Sequence, residues 1–407
     1  MTQTDVGWGA PPSSRYGKLA QRFRPLFEEL GAGAVNREIE GRALDAEIQA
    51  LKASGFLGLR VPGEDGEPGV GLPELFALLI ELSAADSNLT QSIRGHFGFV
   101  ETLLVSSRQA RRDRWFSRIE RGEMVGPARS EAGASARAHF GTRLVPAADE
   151  NWRLVGEKFY TTGCRYADWI DVSATGPDDR TYTVAVAREA AGVEVLDDWN
   201  GFGQTLTASG GIRFRDVPVA EAPIPDDERF PHAQAFFQLF HLATLAGIGR
   251  AMSDELAQAV AVRTRTYTHG NGDRVSQDPQ ILQVVGSVRS AAYCAGAIVT
   301  TLSQALQRAF EAAVAGEERA TADAVALADL EVAQAQTVIS QLIIEAAGQG
   351  FDALGASAVL RTQGFDRFWR NARTLASHNP QVYKARIVGD YAVNGTPHPG
   401  QWRVGVA

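Results

Sequence analysis

The sequence is poor in cysteine, with only Cys164 and Cys294 among 407 residues. Two cysteines cannot build the disulfide framework of small secreted domains, so we expect a reducing compartment. No apolar run reaches the roughly 20 residues that a membrane-spanning helix requires. The stretch from Met1 to Tyr16 also lacks the basic and then apolar pattern of a secretory signal. Together these absences lead us to expect a soluble, cytoplasmic protein.

An excess of basic charge is missing as well. The 40 lysines and arginines are outnumbered by 48 aspartates and glutamates, which gives a net charge of -8. A nucleic-acid binder needs cationic side chains to neutralise phosphates, so this class of protein is disfavoured. Hydrophobic residues make up 44% of the chain, enough for a large core, and the length predicts two or three structural domains.

The spacing of apolar residues divides the chain into three zones. In residues 1–123 apolar side chains recur at helical spacing. Residues 124–231 contain short segments rich in β-branched residues between glycine-containing turns, which indicates an antiparallel β domain. Residues 232–407 contain long alanine-rich stretches that predict bundle helices. We therefore predict an α+β multidomain protein with the order α–β–α.

No motif supplies a reactive group of its own. The seven histidines and two cysteines lack the spacing of a metal site, so we expect no metal. No phosphate-binding loop or dinucleotide fingerprint follows a predicted strand, and the Gly-x-Ser-x-Gly turn is absent. If the chain is an enzyme, a cofactor is therefore expected to provide the chemistry.

Two histidines are candidates for moving a proton. His96 shares the apolar stripe of a predicted helix with Ile93 and Val100, so it is either a hydrogen-bonded core residue or an inward-facing functional group. His378 lies just before Pro380, at the predicted C-terminus of a helix. There the helix dipole favours the protonated imidazole, and the residue either caps the helix or takes part in a reaction near neutral pH.

Two further segments each allow more than one interpretation. Residues 365–373 combine three arginines with three large aromatics, as a solvated helix face, a buried anion site or a subunit contact would. Residues 158–163, Lys-Phe-Tyr-Thr-Thr-Gly, place hydroxyl groups at a strand end. This is either an ordinary turn or the wall of a site for a planar ring.

The middle zone resembles the β domain of the acyl-CoA dehydrogenase superfamily. Residues 126–135 are similar to its first flavin-facing segment, and residues 156–168 are similar to its second. Residues 199–219 resemble its third strand pair. The resemblance implies an N-terminal helical domain over 1–123, a β domain over 124–231 and a C-terminal four-helix bundle over 232–407. It also implies a homotetramer.

The chain departs from the dehydrogenases of this superfamily at two places. Aligning Arg370-Asn371-Ala372 with their Arg-Asp-Ala stretch puts Asn379 where the catalytic glutamate falls, and an amide cannot accept the α-proton of an acyl thioester. Residues 267–274 replace the loop that helps to bind the outer part of FAD. Both departures disfavour acyl-CoA dehydrogenation and favour a flavin without an adenylate half.

The C-terminal part is similar to the flavin-dependent monooxygenase branch, which includes the dibenzothiophene monooxygenases. The likeness lies in residues 365–374, then His378-Asn379-Pro380 and Tyr383-Lys384. It implies that His378 and His96 face the flavin. Leu375 stands where the dibenzothiophene enzymes have a further histidine, so we expect a different substrate.

The resemblance thus implies a two-component monooxygenase. Reduced FMN from a separate NAD(P)H-dependent flavin reductase would react with O2 to give a C4a-hydroperoxyflavin, which oxygenates a small organosulfur, amine or aromatic substrate. The catalytic residues would be His378 and His96. The cofactor would be held by Ser130, Tyr160, Thr161, Thr162, Arg370 and Asn379.

Two alternatives stay open. One is an FAD-dependent acyl-CoA dehydrogenase whose catalytic base lies elsewhere in the chain. The other is a non-catalytic oligomeric scaffold that keeps the same fold and binds no flavin.

Overall fold

The N-terminal part of the molecule is helical. The computed structural model describes residues 7–63, 67–131, 141–147, 151–219 and 221–400, so positions 132–135 of the first flavin-like segment lie outside the described residues. The helices are α1 (Ser14–Ala32), α2 (Ala34–Glu40), α3 (Asp45–Ser54), α4 (Leu72–Ala85), α5 (Ser87–Ser92), α6 (Arg94–Val105) and α7 (Gln109–Glu120).

The middle part is one sheet of eight strands. Its hydrogen-bonded order is β6-β7-β3-β2-β4-β5-β8, and β1 pairs with β4. Most pairings are antiparallel, as predicted, but β1–β4 and β2–β4 are parallel. The strands are β1 (Val125–Ala128), β2 (Arg143–Pro146), β3 (Trp152–Lys158), β4 (Trp169–Thr175), β5 (Thr181–Ala187), β6 (Val193–Val195), β7 (Ile212–Val219) and β8 (Ile224–Pro225).

The C-terminal part is helical again, which confirms the predicted α–β–α order. The long helix α8 packs against α9 and α10 and also against α4 of the N-terminal part. The C-terminal helices are α8 (Ala233–Val262), α9 (Pro279–Ala315), α10 (Glu318–Leu354), α11 (Arg367–Ala376) and α12 (Lys384–Asn394).

Short polar side chains fix the starts of several helices. The Ser13 hydroxyl accepts a hydrogen bond from the backbone N–H of Tyr16 and caps α1. In the same way, Asp86 caps α5. Asp278 caps α9, whose first residue is Pro279. These groups satisfy backbone donors that have no partner inside the helix.

Helix α8 forms the centre of the helical core. Nearly all of its N-terminal half is buried, including Phe236, Phe240 and Leu245. Three polar residues, Gln238, His241 and Thr244, are buried in the same stretch. Buried polar side chains are expected to have hydrogen-bond partners or a functional role, so this part of α8 marks a candidate site.

Helix α9 is long and apolar enough to cross a membrane, by length and composition only. It packs on α8 and α10 through buried residues such as Val288, Val299 and Leu306. Only 22% of its most apolar stretch is buried in the single chain. The remaining apolar surface of α9 faces outward.

Candidate active site

Three basic side chains from three parts of the fold meet in one place. Arg94 is the first residue of α6, His241 lies on α8, and His378 follows the end of α11. Arg94 Nη2 lies 3.4 Å from His378 Nε2. The ring centroids of His241 and His378 are 4.3 Å apart. We refer to Arg94, His241 and His378 as the basic cluster.

A close approach of two helices places the basic cluster. Gly98 lies one turn after Arg94 on α6, and a Cβ atom there would come within 2.3 Å of the Phe237 ring. Because glycine leaves this space free, the Phe237 ring packs directly against α6. The Arg94 guanidinium carbon then lies 5.3 Å from the centre of the same ring, in cation–π geometry.

Hydrogen bonds orient the His378 ring. Nδ1 lies 3.0 Å from Asn379 Oδ1, and the Asn379 amide donates to Gln238 Oε1 on α8. A guanidinium can only donate, so His378 Nε2 is assigned as the acceptor toward Arg94 and Nδ1 carries the proton. Gln238 and Asn379 thus hold the ring with Nε2 toward Arg94.

The protonation of His378 differs from the expectation based on the helix dipole. Burial among protein groups, together with the Arg94 guanidinium, lowers its pKa to about 4. The residue is nevertheless exposed to solvent in the single chain. Because that solvent access weakens the effect of burial, the contact with Arg94 is the firmer cause. His378 is therefore neutral at pH 7.

His241 is the most enclosed member of the basic cluster. It is 1% exposed, and neither ring nitrogen has a hydrogen-bond partner among the described residues. Burial, His378 and Arg94 all hold its pKa well below the usual value. An unpartnered buried imidazole beside the exposed His378 ring can offer a donor and an acceptor to a bound molecule.

His96, in contrast, has both ring nitrogens engaged by backbone. Its Nδ1 accepts from the Val125 N–H at 3.2 Å, and its Nε2 donates to the Leu57 carbonyl at 3.1 Å. The ring is fully buried, and burial lowers its pKa to about 4. This geometry favours the core-histidine interpretation, in which His96 ties α6 to β1.

The segments expected to hold the flavin ring border the basic cluster. Gly163, which ends the Lys-Phe-Tyr-Thr-Thr-Gly segment, lies so close to Ser92 that a Cβ atom would come within 2.0 Å of the Ser92 carbonyl oxygen. Ser92 lies two residues before Arg94. Ser130 is exposed, and its carbonyl accepts from the Phe159 N–H at 2.9 Å, which joins the first segment to the second.

The hydroxyl residues of this region are positioned differently from one another. Tyr160 is 55% exposed and has the unusual backbone angle φ 59°. The hydroxyls of Thr161 and Thr162 are buried and bind Gly210 O and Ser209 Oγ, each at 2.8 Å. Tyr160 and Ser130 are thus free to meet a ligand, while the two threonine side chains fasten the turn beneath them.

Arg370 belongs to an ion-pair network. Its guanidinium lies 3.1 Å from Glu38 and 2.8 Å from Asp366, and it donates to the Phe202 carbonyl at 2.9 Å. Nearby, Asn371 accepts from the Gln204 N–H. These contacts attach the loop around residues 202–204 to α11. They fit a positioning role for Arg370, and its contact with a cofactor remains a prediction.

Carboxylates are not part of the basic cluster. No ion pair joins Arg94 or His378 to an aspartate or glutamate within the part of the chain that the structure describes, and burial alone accounts for the lowered pKa of Arg94. Across the same residues, no three His, Cys, Asp or Glu side chains gather as metal ligands would. The basic cluster therefore provides imidazole and guanidinium groups for binding a ligand or moving a proton.

Sequence reasoning found His378 but missed Arg94 and His241. A signal for His241 exists in the sequence, since it is a single histidine within the otherwise apolar run from Phe236 to Ala246, apart from Gln238 and Thr244. Arg94 gave no such signal, because arginines near helix ends are common on protein surfaces.

Comparison with known proteins agrees with the fold. Residues 18–123 match the acyl-CoA dehydrogenase N-terminal domain model, and residues 239–381 match the C-terminal domain model. Together these two models cover more than half of the chain.

Three relatives match over nearly the whole length. Dibenzothiophene monooxygenase of Rhodococcus erythropolis is 27% identical over 93% of this chain and 94% of its own. The probable FMNH2-dependent monooxygenase SfnC of Pseudomonas putida is 26% identical over 91% and 93%. The crystal structure of TdsC from Paenibacillus sp. A11-2 with FMN and indole has a TM-score of 0.85 at 26% identity, over 95% of this chain and 99% of that chain. The chain therefore belongs to the acyl-CoA dehydrogenase superfamily, and within it to the flavin-dependent monooxygenase branch.

Proposed function

We propose that this chain is a monooxygenase that uses reduced FMN and O2 to oxygenate a small organosulfur, amine or aromatic compound. The observation that carries the proposal is the basic cluster, in which imidazole groups and no described carboxylate lie beside the flavin-like strand segments. A relative described as FMNH2-dependent and a structural relative solved with FMN and indole support the choice of cofactor and substrate size.

The residues around the basic cluster suit an FMN ring. Tyr160 is an exposed aromatic and Ser130 an exposed hydroxyl residue, both beside the turn that abuts Ser92. Thr161 and Thr162 would shape the floor of the site through the turn that they fasten. When bound, reduced FMN would supply the two electrons that activate O2, and O2 would provide the oxygen atom that is transferred to the substrate.

His378 is the proposed catalytic residue. The residue is exposed, its Nε2 is a neutral acceptor beside Arg94, and Asn379 fixes the proton on Nδ1. Such an imidazole can hold a proton at Nε2 during oxygen transfer and return it afterwards. The backbone contacts of His96 favour a positioning role instead, in which His96 sets the start of β1.

Partners follow from the same proposal. A separate NAD(P)H-dependent reductase would supply the reduced FMN, because the sequence contains no dinucleotide fingerprint after a strand.

Apolar residues that face outward on α9 support a homotetramer, which would cover them. We place the enzyme in the cytoplasm because a chain with only two cysteines suits a reducing compartment.

A rapid-mixing experiment tests the proposal. The protein with reduced FMN is mixed with O2, and we expect a transient flavin absorbance that matches neither reduced nor oxidised FMN. His378→Ala should bind FMN normally but lower coupled product formation by about 100-fold or more, as loss of a group that moves a proton does. Ser377→Ala, at the exposed neighbouring residue, is the matched control.

Two results would contradict the proposed function. If FAD binds tightly and FMN does not, and an acyl-CoA bleaches the bound flavin without O2, the chain is a dehydrogenase. If neither flavin binds in any redox state, the chain is a non-catalytic scaffold.

A further inference from the structure

Arg94 is a cation in an unfavourable position. Its Nε atom is buried and has no hydrogen-bond partner among the described residues. Arg94 is also the first residue of a twelve-residue helix that has no acidic residue in its first turn. The positive end of the helix dipole adds to the guanidinium charge instead of balancing it. The half-buried guanidinium contacts only the neutral His378 and Phe237 rings and has no anionic partner among the described residues, which is costly, so a residue of this kind is expected to have a functional reason.

The groups around Arg94 are those of an anion site. The His241 ring is 1% exposed, unpartnered among the described residues and next to His378, so it can donate one N–H to a bound group. Arg94 adds charged donors, and the half-buried Phe237 ring adds an apolar wall. Guanidinium groups bind carboxylates and related oxyanions with two parallel hydrogen bonds.

The charge of the basic cluster limits the charge of its ligand. His378 and His241 are both neutral at pH 7, because burial and Arg94 lower their pKa values. Arg94 is then the single positive charge of the basic cluster. A single positive charge balances a monoanion, whereas a phosphate group carries close to two negative charges at this pH.

We propose that Arg94 is a specificity-determining residue that makes the enzyme select organic substrates with one monoanionic oxyanion group, either a carboxylate or a sulfinate. The oxyanion would contact Arg94 and His241, and the organic part would lie along Phe237 toward the flavin-like strand segments. The inference rests on the proposed function for the identity of the reaction, but the binding preference stands on the basic cluster alone.

Binding measurements with a pair of compounds matched in shape but not in charge test the inference. Benzoate and benzamide have nearly the same shape and differ in charge, and methanesulfinate provides a smaller oxyanion. Calorimetry on the full chain with FMN should show benzoate binding at least about 10-fold more tightly than benzamide. Arg94→Gln should lower the affinity for benzoate and methanesulfinate by about 30-fold or more, as loss of a charged partner does. The affinity for benzamide should change by no more than about twofold.

Two further variants sharpen the comparison. Arg94→Lys keeps the charge but not the bidentate geometry, so it should retain part of the preference for benzoate. Arg229→Gln removes the other guanidinium that lies over the Phe237 ring, at 5.8 Å, and should not change the preference. The thermal midpoint of Arg94→Gln should equal or exceed that of the wild type, since the variant removes an unpaired charge.

Three results would overturn the inference. One is equal affinity of the wild type for benzoate and benzamide, or no binding of any of the three compounds. Another is equal weakening of benzoate and benzamide in Arg94→Gln. The third is loss of FMN binding in Arg94→Gln, which would assign Arg94 to the cofactor. Rapid mixing of the wild type with reduced FMN and O2, without these ligands, tests the proposed function separately.

Discussion

At the scale of single residues, the surroundings of each histidine decide what it can do. His96 and His378 have similarly lowered pKa values, yet their ring nitrogens have different partners. The nitrogens of His96 are both bound to backbone, so no proton can move there without breaking the contact between α6 and β1. His378 is exposed, and its Nε2 lies toward a side chain, Arg94, instead of backbone. A shifted pKa alone does not separate the two roles, whereas the hydrogen-bond partners do.

The link between Arg94 and His378 can be measured directly. The guanidinium lowers the pKa of His378, so Arg94→Gln should raise this pKa toward its ordinary value. The change should be visible in an NMR titration of the His378 ring. His241, the other titratable group in contact with the ring, stays neutral in the variant because it remains buried. An unchanged or lower pKa would contradict the electrostatic coupling.

The structural role of His96 predicts a dependence of stability on pH. In the unfolded chain a histidine binds its proton with a pKa near 6.5, but in the folded protein the pKa of His96 is about 4. Between these pH values the unfolded state binds more protons than the folded state. The contribution of His96 to the free energy of unfolding is therefore fully present above pH 6.5 and is lost as the pH falls toward 4. This contribution amounts to ~3 kcal/mol.

His96→Gln should separate this effect from catalysis. At pH 7 the free energy of unfolding of the variant should be about 1–3 kcal/mol lower than that of the wild type, because the Leu57 carbonyl or the Val125 N–H loses its hydrogen-bond partner. Its further loss between pH 6.5 and pH 4.5 should be smaller than that of the wild type. Urea denaturation at several pH values measures both, with His269→Gln at an exposed histidine as control. A variant that is as stable as the wild type but inactive would restore the catalytic role.

At the scale of elements, the contact between α6 and α8 positions the basic cluster, and a double-mutant cycle tests it. Gly98→Ala would place a Cβ atom 2.3 Å from Phe237 Cζ, so we expect a net loss of about 1–2 kcal/mol from overpacking despite the better helix propensity of alanine. In a Phe237→Ala background the same change should stabilise the protein by up to about 1 kcal/mol. Additive effects in urea denaturation would contradict this contact.

The sequence predicted those elements whose pattern is local. Helical spacing and β-branched alternation identified the α–β–α order, and the motif at residues 365–374 led to His378. The parallel pairing of β1 with β4 was missed, because pairing between strands that are distant in sequence leaves no local pattern. Arg94 and His241 were missed for a related reason. Their function depends on three helical segments that meet, and periodicity within one helix only shows that His241 is buried.

At the scale of the whole molecule, apolar residues on the outside of α9 and α10 predict how subunits assemble. Leu282 and Tyr293 on α9 are 48% and 45% exposed, and Val338 on α10 is 51% exposed. Large apolar side chains grouped on two long helices are costly in water, and a subunit interface would bury them. We expect light scattering to give four times the chain mass of 43.7 kDa. Tyr293→Lys combined with Val338→Lys should shift the protein toward smaller species, whereas Val393→Lys on α12, at a residue 82% exposed, should not. A wild-type protein that runs as a monomer at micromolar concentration would leave this apolar surface without a subunit partner and would refute the tetramer.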